Sequence, residues 1–261
     1  MRIGLLAGRT FNEHNLRVLQ PILADGDFEV GLVVVDSRPS KGAGRKLIDH
    51  IRKGRGGYVV VQTLQKCFAK PVRGMSVEEF CRVNGIARLE TARPYAPQTS
   101  AEIRRHNLDL LILVDGFGII REPLLSVCPK GILSYHHGDM RKYRGMPPGL
   151  WELYNGEKEI GITVQKIAAG LDCGVPVEEK HIPIHPNDTL ATLTARLKTE
   201  DQGMLHAALK KMANPDFTPA PLREFGRVYT LPNLRQWIIL NTRIARRRLR
   251  CELLSRSAEN P

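Results

Sequence analysis

His136 and Asp172 are the residues of this chain best suited to chemistry. His136 closes the apolar run GILSYH, and Asp172 follows 36 positions later in the glycine-flanked segment AAGLDCG. An imidazole at a strand end and a carboxylate on a turn can meet across a cleft. The carboxylate then fixes the tautomer and orientation of a ring able to move protons near neutral pH. That arrangement suits acyl transfer and predicts an enzyme. An isolated histidine is more often a core residue satisfied by backbone, so the weight rests on the residues around the pair.

The elements that must position this pair follow from periodicity. Residues 2–7 and 29–36 are short apolar runs, the second mostly β-branched, as expected of parallel strands buried on both faces. Between them, Leu16, Val18, Leu19 and Ile22 repeat at helical spacing. Helices are expected over 76–84, with Glu78 and Glu79 in the first turn, and as a polar surface helix over 100–106. Strands are expected at 110–114 and 131–136, so strand and helix alternate as in an open, doubly wound, mainly parallel α/β sheet. In such sheets ligands bind beyond the carboxyl ends of the strands, where the Gly116 turn and the 134–136 segment both fall. Residues 160–167 and 175–184 read as a hairpin-like pair carrying Asp172 at its tip. One long helix is expected from about 188 to 214, capped by Asp188 or Thr189. An irregular Pro-rich stretch over 215–230 and a last helix over about 232–254 complete the pattern.

Three motifs follow in order between Val114 and Gly174. They are Gly116-Phe117-Gly118-Ile119-Ile120, the segment SYHHGDMRKYRG from Ser134 to Gly145, and Gly170-Leu171-Asp172-Cys173-Gly174. This order resembles the folate-dependent formyltransferase family, both its methionyl-tRNA and its sugar N-formyltransferase branches. The shared pattern there is a turn like A-Y-G-L-I-L-P, then N-x-H-x-S-L-L-P-x-[YW]-R-G, then G-[LM]-D-T-G. The histidine-to-aspartate spacing agrees without a gap, and LWELYNGEKEIGITVQKI is also similar to the family. Three ordered motifs make a specific signal, which a lone GxG or HH would not.

The resemblance implies an open Rossmann-like sheet flanked by helices, 10-formyltetrahydrofolate as co-substrate, no metal, and a primary amine as acceptor. It makes His136 and Asp172 the pair that moves protons as the amine attacks the formyl carbon and the folate nitrogen departs. Phe117, Gly118, Ile119 and Ile120 resemble the turn that holds the pterin through main-chain groups. Arg144 and Gly145 match a loop packed over the folate, Tyr143 is a wall residue, and Gly170 opens the last motif. Ser134 stands where the family places an asparagine that donates to the formyl oxygen. A hydroxyl also donates but is shorter and free to rotate, so a working substitute, a slow enzyme and altered chemistry all stay open. Asp139, Met140 and Arg141 replace L-L-P, which leaves the path of that loop open. His137 occupies a variable position and either lines the cleft or acts directly. Cys173, where threonine is common, reads as packing, and His181 and His185 as structural.

At 261 residues and 42% hydrophobic content, the chain suits one main domain with an appendage. The expected division is a catalytic domain over 1–185, with a basic helical insertion at about 38–75, and a helical extension with a basic tail over 186–261. No run approaches the roughly 18 apolar residues of a membrane span, and the first residues lack the apolar region of a secretory signal, so a cytoplasmic location is expected. Five cysteines with no metal-ligand spacing disfavour a disulfide framework and structural zinc.

The formal charge of +12 is concentrated. Residues 38–73 hold ten Lys or Arg against the single acid Asp49, and residues 235–250 hold six Arg and no acid. Such surfaces suit a local anionic partner. The insertion reads as two helices joined by residues 54–57. Its face is a solvated cationic surface, a lobe for an anionic substrate, or a membrane-surface or assembly face, and the tail arginines carry the same alternatives.

Relatives by resemblance act on glycinamide ribonucleotide, on initiator methionyl-tRNA and on amino sugars attached to nucleotides. The tRNA enzymes carry a substantial β-barrel after the catalytic domain, for which the residues after Asn214 are too few and too helical. The purine enzyme is shorter and lacks an insertion of the 38–73 type. The expected acceptor is therefore a small, anionic, nucleotide-linked amino sugar or related metabolite. Nucleic acid is not the expected partner, and an oligomer stays open. Two other classes also stay open: a hydrolase releasing formate from the folate, and a folate-binding scaffold without catalysis.

Overall fold

In the computed structural model, which describes residues 1–39, Arg52 and residues 74–259, the β-branched and apolar runs form the sheet that the sequence predicts. In chain order the elements are β1 (Arg2–Ala7), β2 (Thr10–Asn12), α1 (Glu13–Ala24), β3 (Glu29–Asp36), β4 (Gly74–Ser76) and α2 (Val77–Asn84). Next come β5 (Ala87–Thr91), α3 (Pro97–Arg105), β6 (Leu110–Leu113), β7 (Ile132–His136), β8 (Tyr143–Gly145) and α4 (Leu150–Asn155). β9 (Glu159–Lys166), β10 (Val175–Pro183), α5 (Leu190–Glu200), α6 (Met204–Ala213), β11 (Arg227–Tyr229) and α7 (Leu234–Glu259) follow. Apart from Arg52, the expected helices over residues 47–68, with the glycines between them and Cys67, lie outside the described residues.

Among the described residues seven strands form one sheet in the order β10-β9-β7-β6-β1-β3-β5. The neighbours from β7 to β5 are parallel, while β9 runs antiparallel to both β7 and β10. β1 is flanked by β3 on one side and by β6 on the other, so the topological switch point lies between β1 and β6. A ligand crevice is expected beyond the strand ends there. The register places Leu113 beside Ser134, and Ser134 beside Gln165. One large core joins β1, β3, β7 and β9 to α1, α5 and α6 through residues such as Leu5, Leu19, Ile162, Leu193 and Leu209. The helices after residue 186 therefore share a core with the sheet.

Local chemistry fixes the element ends that matter for the site. Asn12 caps α1 by accepting from the Asn15 amide at 3.0 Å, which sets His14 and Asn15 at the cavity side of the first turn. Thr189 caps α5 in a reciprocal box with Thr192, a device worth about 1 kcal/mol.

The single helix expected from 188 to 214 is two helices. Asp201 ends α5, and Gly203, in the left-handed region at φ 82°, starts α6. The leucine stripe runs on through the break, which hides it in the sequence, but the break sets Asp201 between two helices with its side chain fully buried. The polar helix expected over 100–106 begins at Pro97, and its Thr99 and Ser100 are buried. The stretch after Pro215 contains β11, which pairs in parallel with β8. Such three-residue strands carry too little periodicity to be read from sequence. Among the described residues no helix is long and apolar enough to cross a membrane.

Candidate active site

A cavity of about 550 Å³ opens beyond the carboxyl ends of β1, β6 and β7, within the range of small-molecule sites. Ser134 and Tyr135 reach it from β7 and His137 from just beyond it, Asp115, Gly116, Gly118, Ile119 and Ile120 from the turn after β6, and Gly170 to Gly174 from the loop after β9. Its apolar walls include Ile112, Val114, Ile119, Ile167 and Leu171.

His136 and Asp172 do meet: Nδ1 of the ring is 3.4 Å from the Asp172 carboxylate. Nε2 lies 2.9 Å from the Tyr143 carbonyl oxygen. A carbonyl only accepts, so Nε2 donates to Tyr143 and Nδ1 is the nitrogen that faces the carboxylate. The carboxylate accepts further from the Gly145 amide at 2.8 Å and from Gln165 Nε2 at 3.3 Å. Asp172 itself has φ 47°, a left-handed conformation that non-glycine residues adopt rarely.

The pair is ordered relative to the cavity. Asp172 forms part of the wall, while the His136 ring is buried behind it and faces a side pocket of about 10 Å³ with Tyr143, Trp151 and Glu152. That pocket is too small for a substrate, and Asp172 stands between the imidazole and the cavity.

Other expected site residues separate into two groups. Ser134, Gly118, Ile119, Ile120 and Gly170 line the cavity. Phe117 is buried in a separate apolar cluster with Leu6, Leu124 and Val127, and its carbonyl accepts from Arg38 at 2.9 Å. Tyr143, Arg144 and Gly145 stand behind the wall. The Tyr143 hydroxyl donates to Glu157 at 2.8 Å. Arg144 ties the Asp172 loop down, donating to Cys173 Sγ at 2.7 Å and to the Gly226 carbonyl at 2.7 Å. Met140 is buried in place of an apolar motif residue, and Arg141 clamps its loop onto Glu179 of β10 through two bonds of 2.6 and 2.9 Å.

Several site residues escape sequence reasoning. Gln165 turns its amide on Asp172 and accepts the Gly174 amide at 3.0 Å, so one side chain ties the carboxylate to its own loop. Its signal is the polar Thr163 and Gln165, two apart in an apolar strand. Asp115 lines the cavity, and burial raises its carboxyl above the usual range. Asp201 accepts from His14 Nε2 at 3.0 and 2.9 Å and from His137 Nε2 at 2.8 Å. Burial raises the Asp201 carboxyl, but the hydrogen bonds and charges of His137 and His14 outweigh it, and the group ends below its ordinary value. No spacing rule joins residues 14, 137 and 201. Among the described residues no group of three or more His, Cys, Asp or Glu could hold a metal ion.

Gly145 gives a direct test of this framework. It has φ 94°, and a Cβ there would collide with the Tyr229 carbonyl of β11. Gly145→Ala must distort the strand pair whose amide holds Asp172, at a cost of about 1–3 kcal/mol or more. Thermal unfolding should fall by several degrees at about 2–4 °C per kcal/mol. An unchanged melting temperature would show that β8 is not held as described.

An open α/β sheet with a cavity over its switch point, and a histidine–carboxylate pair at its strand ends, places the protein in the Rossmann-like α/β class. Residues 14–209 match the formyl transferase family, and the chain belongs to that family. It is 34% identical over 145 residues to a methionyl-tRNA formyltransferase of Geobacter metallireducens, covering 56% of this chain and 42% of that protein. A second methionyl-tRNA formyltransferase, from Geobacter sulfurreducens, is 30% identical over 179 residues, 69% of this chain and 48% of its own length. The chain spans about half the length of these curated relatives. Among solved structures, glycinamide ribonucleotide transformylase 1 from Symbiobacterium toebii shares the fold with a TM-score of 0.60 at 20% identity, over 88% of this chain and 94% of that one. An N-formyltransferase from Helicobacter canadensis, in complex with folinic acid and dTDP-3-aminofucose, does so with a TM-score of 0.58 at 14% identity, over 88% and 71%.

Proposed function

We propose that this protein transfers a formyl group from 10-formyltetrahydrofolate to a primary amine. The observation that supports the reading is that Ser134, Asp172 with His136 behind it, and Gly116, Gly118, Ile119 and Ile120 meet at one cavity at the strand ends. The residues present fit the folate. The turn offers main-chain groups, the walls are largely apolar, and Gly118 sits where an added Cβ would meet nothing within 4 Å.

The folate supplies the activated formyl group; the chain does the rest. Ser134, at the floor, donates its hydroxyl to the formyl oxygen as negative charge develops there. The His136–Asp172 pair moves the proton that the folate nitrogen needs on leaving. Ile119, Ile167 and Leu171 give the cavity an apolar wall against which the folate can pack.

The acceptor we favour is a nucleotide-linked amino sugar or a related small anionic metabolite, because the cavity has the dimensions of a small-molecule site and Lys198 stands at its wall. A second reading, methionyl-tRNA, is favoured by the curated relatives. The test is a panel of a dTDP-linked amino sugar, glycinamide ribonucleotide, methionyl-tRNA and hydroxylamine, each incubated with protein and 10-formyltetrahydrofolate and analysed by mass spectrometry. Formylation of the amino sugar ahead of the others is expected. Preference for methionyl-tRNA establishes the second reading, and no formylated product from any amine counts against transfer altogether.

Ser134→Asn is expected to retain or raise transfer, since the longer amide also donates to the formyl oxygen. Loss of one such donor typically costs on the order of 10²–10³ in rate, so abolished transfer in this variant would mean that the serine does something else.

A further inference from the structure

His136 and His137 are consecutive, yet only His137 forms part of the cavity wall. Its ring stacks on Tyr135, with centroids 5.8 Å apart and planes 9° from parallel. The Tyr135 hydroxyl donates to the Asp201 carbonyl at 2.6 Å and accepts from the Leu205 amide at 3.0 Å, so the stacking partner is itself fixed. His137 Nε2 lies 2.8 Å from the Asp201 carboxylate, whose side chain is fully buried. A carboxylate only accepts, so Nε2 carries the proton and Nδ1 keeps its lone pair when the ring is neutral. Among the described residues Nδ1 has no hydrogen-bond partner. A ring stacked on a fixed tyrosine, oriented by a buried carboxylate, with an unshared lone pair and a place in the cavity wall has the features of a general base.

We propose that His137, oriented by Asp201, is the base that takes the proton from the acceptor amine. The assignment rests on the formyl-transfer reading above. The amine nitrogen bonds to the formyl carbon, and the bond from that carbon to the folate nitrogen breaks. The amine loses a proton to Nδ1 of His137, and the folate nitrogen gains one from the His136–Asp172 pair. One proton thus moves from amine to folate overall, and exchange with water resets both rings. Asp201 is a positioning residue in this scheme, and His14 completes its hydrogen bonding from the α1 side. The titratable groups around His137 are Asp201 and His14 behind it, Tyr135 against its face, and Lys198, Asp115 and Asp172 on the cavity wall.

The test combines kinetics with a readout that needs no turnover. His137→Gln should lower the rate on the panel amine that wild type formylates fastest by about 10²-fold or more. The KM for the folate should hardly change, and the rise of kcat/KM with pH on the acid side should flatten. Asp201→Asn should give part of the same loss. In ¹⁵N-labelled wild-type protein without ligands, histidine NMR should show neutral His137 protonated at Nε2 and bare at Nδ1, a preference that Asp201→Asn weakens. The proposal falls if His137→Gln keeps the wild-type rate and pH profile, or if neutral His137 carries its proton on Nδ1. Wild type inactive on every amine would overturn the formyl-transfer reading and this assignment together, and it is distinguished from failure of the assignment alone by the wild-type rate itself.

Discussion

His136→Asn is expected to lower formyl transfer by about 10²–10⁴-fold while leaving the fold intact, the range typical for removing a positioned proton-transfer group. The side chain that replaces the ring is polar and smaller, and the main-chain ladder of β7 with β6 and β9 is untouched. What disappears is the group facing Asp172 at 3.4 Å, leaving a carboxylate held by Gly145 and Gln165 but without a proton source behind it. The KM for the folate should stay near the wild-type value, because the Gly116–Ile120 turn is independent of the ring. Steady-state rates on wild type and variant, with circular dichroism and thermal unfolding as controls, check this. A rate within tenfold of wild type would take His136 out of the proton path.

Glu152→Gln is expected to stabilise the protein, and only above mildly acidic pH. Glu152 is 3% exposed, and burial pushes its carboxyl up from 4.5 to about 7, partly offset by a hydrogen bond from its own backbone and reinforced by the charge of Glu157. Below pH 4.5 the folded and unfolded chains both hold the proton, so the group costs nothing. As pH rises from 4.5 towards 7 the unfolded chain ionises first and is favoured. Above about 7 the full penalty applies, roughly 3 kcal/mol for a shift of this size. The neutral isostere removes that penalty. Thermal unfolding should therefore show equal stability for the two proteins near pH 4 and a higher melting temperature for the variant at pH 8, by several degrees. Equal melting temperatures at both pH values would mean that Glu152 is ionised at little cost in the folded protein. The measurement also bears on the site, since Glu152 shares the side pocket with His136.

The sequence reads well wherever period and motif agree. The β-branched run of β3 and the apolar run of β1 begin and end where their residues predict, because burial on both faces leaves no room for polar positions. The alternation of β9 and β10 puts Asp172 on the turn between them, and the spacing to His136 translates into contact. What escaped notice depends on packing between distant segments. Asp201 looks like one more polar residue in a long helix until Gly203 breaks the helix and buries it against His14 and His137, 187 and 64 residues away. Tyr143, Arg144 and Gly145 sit in a clear motif, yet their side chains and amides brace the Asp172 loop from behind the cavity wall. Sequence order says that these residues belong to the site; it carries no information about which side of the wall each occupies.

In the proposed reaction the formyl carbon passes from folate to amine through the site built around Ser134, His136 and Asp172. The most direct measurement uses 10-formyltetrahydrofolate carrying ¹³C in the formyl group, and compares label gained by the amine with folate released, for wild type and His136→Asn. Transfer predicts equal amounts of labelled amine and free tetrahydrofolate from wild type, both dependent on added amine and both nearly abolished in the variant. Labelled formate released at the same rate without any amine would contradict the account and make the protein a hydrolase.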